Sequence, residues 1–151
     1  MNELRTVIDT GVVVSAVVLP RSVPRQAFDV AVSRGRVLVS GATVAELDEV
    51  LRRPKFNKYI LQEKRLEFLA ALLAEAEQVE VQEVITDCRD ANDNKFLELA
   101  VSGNTSHLVS SDGDLLDLHP FRGISVITPR AFPTSVLSFS VESAVTDLPG
   151  E

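Results

Sequence analysis

Four acidic side chains stand at separate points of the chain where a short apolar run ends or a helical pattern begins. They are Asp9 in TVIDTG, Glu46 in GATVAELDEVL, Asp93 in RDANDNKFLELA and Asp112 in LVSSDGDLL. Carboxylates gathered from distant segments repel one another, so a fold that collects them needs a hard cation such as Mg²⁺ or Mn²⁺ to neutralise them. The chemistry such a centre supports is hydrolysis of a phosphodiester, with a bound water activated and the attacking and leaving oxygens stabilised in an in-line displacement. No side-chain nucleophile is required.

Each acid also has a local structural reading. Glu46 follows Thr43 at capping-box spacing, with Thr43 as the cap and Glu46 reaching back to its amide. Asp93, three residues after Asp90, opens a helical pattern, where acids suit the unpaired amides and the dipole. Asp112 and Asp114 flank Gly113 in a turn, a common place for Asp. Asp9 ends a Val-Ile strand, followed by Thr10 and Gly11, and so points to the mouth of a sheet rather than to a solvated helix face. The joint pattern is what points to a metal.

The elements that must position these acids alternate. Leu4 to Ile8 reads as a buried strand. Pro24 to Arg34 reads as a helix with Ala27, Phe28, Ala31 and Val32 on one face, and Val37 to Val39 as a second strand. A helix from Val44 to Arg53 turns Leu47, Val50 and Leu51 inward and stops at Pro54. The next helical pattern, Glu63 to Val79, carries Leu66, Leu69, Ala70, Leu73 and Ala76 at helical spacing, and an alternating strand runs from Val79 to Val84. A helix from about Asn92 to Ser102, a strand His107 to Ser110, a turn of helix near Leu115 and a strand Ile124 to Thr128 complete the series. Such alternation predicts an α/β fold, a parallel sheet flanked by helices on both faces, with ligands bound beyond the carboxyl ends of the strands. Asp9 and Asp112 fall at those ends. Thr134 to Glu151, rich in Ser and Val, reads as a C-terminal extension after a domain spanning 1–133, adding an edge strand or helix or fraying.

Composition sets further bounds. With 151 residues and 45% hydrophobic content, one domain can bury a core without disulfides or structural zinc. The lone Cys88 and two separated histidines form neither, which fits a reducing cytoplasm. No signal pattern or apolar run long enough to span a membrane is expected. A net charge of −7 and a pI near 4.9 argue against a broad basic nucleic-acid-binding face, although a carboxylate centre contributes to that charge itself. His107, in a strand pattern, and His119, before Pro120, read as structural or surface residues rather than general bases.

Taken in order, VIDTGVVVSAVV, ATVAELDEVLRRPKF, CRDANDNKFLELAVSG, HLVSSDGDLLDL and ISVITPRAF resemble the PIN-domain fold. They are closest to the bacterial PIN proteins that are VapC-like toxin components of toxin–antitoxin systems, over about Leu4 to Phe132. The resemblance implies a PIN-like sheet with flanking helices, a Mg²⁺ or Mn²⁺ centre and metal-dependent cleavage of RNA. Carried over by motif, the catalytic and metal-binding acids are Asp9, Glu46, Asp93 and Asp112, with Asp90, Asp114 and Thr10 as accessory residues. Where the family usually reads Asp-Thr-Asn, this chain has Asp9-Thr10-Gly11, so an amide near the first carboxylate is missing. Loss of such a partner costs about 10–100-fold in metal affinity or activity. The resemblance also implies a cognate antitoxin and a homodimer.

Candidate substrate contacts are Arg52, Arg53, Lys55 and Lys58, interleaved with Phe56 and Tyr59 as phosphate and base contacts are in single-strand binders. The alternative is a solvated helix end with the aromatics packed inward. Lys95 beside Asp93 is placed either to pair with an acid or to orient a phosphate. Two other functional readings stay open: a PIN scaffold that binds partners without cutting, motivated by Gly11, and a phosphotransfer domain with Asp9 as nucleophile. The second is weakened by Gly11, which stands where a second Asp is needed.

Overall fold

The computed structural model describes residues 4–146, with side chains to residue 139. Five parallel strands form one sheet in the order β3-β2-β1-β4-β5: β1 (Arg5–Ile8), β2 (Arg36–Val39), β3 (Glu77–Gln78), β4 (His107–Val109) and β5 (Ser125–Ile127). The central strand β1 sets Thr6 between Val37 and His107. Helices cover both faces. Ile8 and Val109 turn toward α1 (Thr10–Val18), α2 (Val23–Arg34), α3 (Gly41–Leu51) and α4 (Gln62–Glu75). Val7, Leu38 and Leu108 turn the other way, toward α5 (Asn94–Ser102) and α6 (Gly113–Leu116). This is the period-2 alternation of a strand buried on both sides, and truncating a fully buried residue such as Leu108 to Ala would cost about 2–5 kcal/mol.

Several elements differ from their sequence reading for identifiable reasons. The run after Asp9 is helix α1, capped by the Asp9 carboxylate accepting from the Val12 amide at 2.9 Å. Val12, Val13, Val14, Ala16, Val17 and Val18 are all buried, so no polar stripe marks a helical period. Helix α3 starts at Gly41, and its capping box is Ser40 with Thr43, not Thr43 with Glu46. Glu46 is thereby released from the helix end.

Helix α4 ends at Glu75 and presents Arg65, Leu69 and Leu72 inward, while Ala70 and Leu73 face out. The fully buried Arg65 turns the helix this way. Its guanidinium donates to the carbonyls of Leu51 at 2.7 Å, Ile60 at 2.5 Å and Arg53 at 3.3 Å, and to Asn57 Oδ1 at 3.1 Å, tying down the turn Pro54–Phe56 and the loop around it. Val32 of α2 is likewise exposed.

Strand β3 occupies Glu77–Gln78 rather than Val79 to Val84. Beyond it, side chains of α5 replace a strand ladder: Ser102 Oγ accepts from the Gln82 amide and Glu98 Oε2 from the Ile85 amide, both at 3.0 Å. Val84 is 87% exposed, so its alternation marks no buried face. The last helix, α7 (Phe132–Thr146), runs across the expected division at residue 133. It packs Phe132 and Val136 into the core beside Ile8 and Val109. His107 links β4 to it, hydrogen-bonded to Ser106 Oγ at 2.8 Å and Ser135 Oγ at 3.0 Å, and burial pushes its pKa down to about 4. His119 accepts from the Val126 amide at 2.9 Å. Both histidines are structural.

Candidate metal centre

The carboxyl ends of β1 and β4 bring the first and fourth acids together. The Asp9 amide donates to the Val109 carbonyl at 3.0 Å, so Asp9 leaves the sheet beside the end of β4. One residue on, fully buried Ser110 donates its hydroxyl to Asp9 Oδ2 and accepts from the Asp112 amide at 2.9 Å. Asp112 then caps α6, accepting from the Asp114 amide at 2.8 Å. The turn role read for Asp112 and its place at the centre are compatible, because each carboxylate has two oxygens.

Asp90 and Asp93 enter from the turn Ala91–Asp93 that leads into α5. Carboxylate oxygens of Asp90, Asp93 and Asp112 all lie within 4.8 Å of one another. Asp93 is buried, and its Oδ2 has no hydrogen-bond partner among the described residues. Burial, the adjoining Asp112 carboxyl and the charges of Asp112, Asp90 and Asp9 together push the Asp93 pKa up to about 7. Asp9 is also raised, by burial, although the bonds from Ser110 and the Val12 amide offset part of the effect.

Glu46 lies in a different environment. Thr10 Oγ1 donates to its Oε2 at 2.5 Å, while Asn92 Nδ2 and Lys95 Nζ donate to its Oε1 at 2.9 Å and 3.0 Å. Burial works against its charge, but these donors outweigh it and hold the carboxyl below the usual range. Thr10 thus connects the Asp9 segment to Glu46. Lys95 pairs with an acid, one of its two sequence readings, and its Nζ also donates to Asn92 Oδ1 at 3.0 Å.

The remaining predicted residues lie at the margin. Arg52 pairs with Asp48 at 3.1 Å and Arg53 with Glu49 at 3.2 Å, one turn back on the exposed face of α3. Lys55 lies over the Phe56 ring and Lys58 over the Tyr59 ring, both at 5.2 Å. Asp114 meets Arg89 at 3.6 Å. Ser110 and Asn92 escaped the sequence reading. The Ser-x-Asp spacing of SSDGD after an apolar strand was the available signal for Ser110; nothing local marks Asn92 as a partner of Glu46.

The donor set suits a hard divalent cation: several carboxylate oxygens, one of them buried with no hydrogen-bond donor, in a group whose mutual repulsion raises the proton affinity of its most buried member. Asp90, Asp93 and Asp112 could hold such an ion, with Asp9 alongside.

A parallel sheet with helices on both faces, and acids at the carboxyl ends of its middle strands, is the arrangement of a PIN domain. The PIN domain family model matches residues 5–114, and the chain belongs to that family, whose members are generally nucleases. The chain is 29% identical over 118 residues to the uncharacterized protein MJ1680 of Methanocaldococcus jannaschii, covering 77% of this chain and 76% of that one. Among solved structures it resembles VapBC2 from Rickettsia felis bound to a DNA fragment from their promoter. The TM-score is 0.56 at 13% identity, covering 83% of this chain and 98% of that chain, a likeness of fold. Among the described residues, no helix is long and apolar enough to cross a membrane.

Proposed function

We propose that this protein is a divalent-metal-dependent endoribonuclease acting in the cytoplasm as the toxin component of a toxin–antitoxin pair. The observation that carries the reading is the convergence of Asp90, Asp93 and Asp112 around a buried carboxylate oxygen that no protein donor serves. In this reading Asp93, Asp112 and Asp90 would hold a Mg²⁺ or Mn²⁺ ion with Asp9, and Glu46 would act on it through water. The bound ion supplies an activated water and charge stabilisation for the in-line displacement. The chain's own residues do the positioning: Ser110 orients Asp9 and the start of the Asp112 turn, and Thr10, Asn92 and Lys95 fix Glu46. Arg52, Arg53, Lys55 and Lys58, beyond the end of α3, are the proposed contacts for RNA phosphates and bases.

The decisive experiment is incubation of purified protein with a mixed structured and single-stranded RNA pool in Mn²⁺, Mg²⁺ or EDTA, with Asp9→Asn purified in parallel. Metal-dependent cutting by wild type alone supports the reading. Cutting by both proteins exposes a contaminant, and no cutting by either counts against a nuclease. Gly11 favours a second reading, a PIN scaffold that acts through binding, and the same experiment separates the two.

The VapBC2 neighbour supports the partner part of the proposal. A cognate antitoxin would inhibit by setting Arg or Lys against the acid cluster. Reversing those partner charges should weaken the complex; unchanged affinity would count against it. A homodimer belongs to the same proposal and is checked by light scattering of the purified protein.

A further inference from the structure

We propose that the Lys95 ammonium stands where a second divalent ion would otherwise be held, so that the protein without RNA binds one ion, at Asp90, Asp93 and Asp112. The inference rests on the metal-dependent reading above. It starts from the unequal treatment of the acids. Both oxygens of Glu46 are engaged, Oε2 by Thr10 and Oε1 by Asn92 and Lys95. An ion that used Glu46 would have to displace these donors and sit against a cation already there.

Lys95 is held in that position rather than merely drawn to it. Asn92, three residues earlier, donates through Nδ2 to Glu46 Oε1 and accepts Lys95 Nζ at Oδ1, so one amide fixes both partners. The side chains of Lys95 and Glu46 are only 20% and 17% exposed, which separates them from the solvated Arg52–Asp48 and Arg53–Glu49 pairs. Of the two acids outside the group formed by Asp90, Asp93 and Asp112, Asp9 is met by Ser110 and the Val12 amide, and the Lys95 ammonium meets the other, Glu46. A single positive charge and a divalent ion at the same carboxylate oxygen repel each other strongly where water is scarce.

The test is Mn²⁺ titration without RNA, by calorimetry and by paramagnetic resonance counting of free Mn²⁺. It uses wild type, Lys95→Arg, Lys95→Met, Glu46→Gln and Asp93→Asn, each first shown to melt cooperatively. One ion is expected for wild type and Lys95→Arg, and two for Lys95→Met. Asp93→Asn should weaken the first site at least about tenfold, the smallest loss typical for partners of metal ligands, and Glu46→Gln by less than about threefold. Two ions in wild type, or a single ion in folded Lys95→Met, would overturn the inference while leaving the nuclease reading intact. Should Lys95→Met fail to fold, a tenfold loss in Glu46→Gln would overturn it instead, because Glu46 would then be a ligand. No Mn²⁺ binding by wild type overturns both readings together.

Discussion

Glu46 and Asp93, two acids that the sequence assigns to one centre, are treated in opposite ways by the fold. Glu46 receives three donors from Thr10, Asn92 and Lys95 and is held below the usual carboxyl range. Asp93 is buried with one oxygen that has no partner among the described residues, and its pKa is raised to about 7. Leaving a buried acceptor without a donor costs about 1–3 kcal/mol, more when it is charged. The fold completes one carboxylate internally and leaves the other incomplete, so that an added positive charge is wanted at Asp93 and not at Glu46.

The largest expected effect comes from Asp93→Asn. Metal-dependent RNA cleavage should fall at least about 100-fold, beyond the 10–100-fold typical of losing a partner to a metal ligand. Without metal the same variant should melt higher than wild type, because a repelling charge has gone. A variant that cleaves like wild type would remove Asp93 from the centre.

Ser110→Ala takes from Asp9 the donor that Asp93 never had, and takes from the Asp112 amide its acceptor. A loss of about 10–100-fold in Mn²⁺ affinity, read by calorimetry, is expected. An unchanged affinity would reduce Ser110 to a packing residue.

Thermal melts against pH sharpen the contrast further. Asp93 holds its proton more tightly folded than unfolded, with a pKa of about 7 against 3.8, so between those values the native state carries more protons and its stability falls as pH rises. Glu46 and Glu77 have lowered values and pull the other way, so the quantity to follow is the difference between wild type and Asp93→Asn. That difference should grow to the disadvantage of wild type from about pH 4 and level off above pH 7, with full protection below the unfolded value. Saturating Mn²⁺ should reverse it: binding at 100 times the Kd adds about 2.7 kcal/mol, or roughly 5–10 °C for a chain of this size. A difference that is flat with pH would mean that Asp93 is not repelled.

Gly11→Asn should have the smallest effect. Gly11 is exposed, and a Cβ there would lie 3.7 Å from Asp9 Oδ1, an ordinary contact. Stability should change by no more than about 0.5 kcal/mol, as for most surface substitutions. If the missing amide limits the centre, cleavage rises toward tenfold, within the range for partners of metal ligands. No change would show that the Ser110 and Val12 bonds already suffice to orient Asp9.

The parts of this fold that were legible share one property: their pattern is local. The apolar runs of β1, β2, β4 and β5 and the helical spacing before Asp9's partners placed the acids at strand ends and helix starts. The failures were non-local. Helix α1 buries six of its nine residues, all apolar and spread around the helix, so its period is invisible. The inward face of α4 was set by Arg65, a charged residue that earns burial through carbonyls 14, 5 and 12 positions away. The apolar alternation from Val79 to Val84 met the side chains of α5 instead of a neighbouring strand.

What the sequence determined by itself was the α/β order, the family motifs and the supply of acids at strand ends, because short-range spacing encodes each of these. Tertiary structure alone decided which acid is completed and which is left wanting. The donors to Glu46 come from 36, 46 and 49 positions away and the hydroxyl on Asp9 from 101 away. No local pattern states such pairings. They follow only once the parallel strands have brought the ends of β1 and β4 side by side and the start of α5 has closed over Glu46.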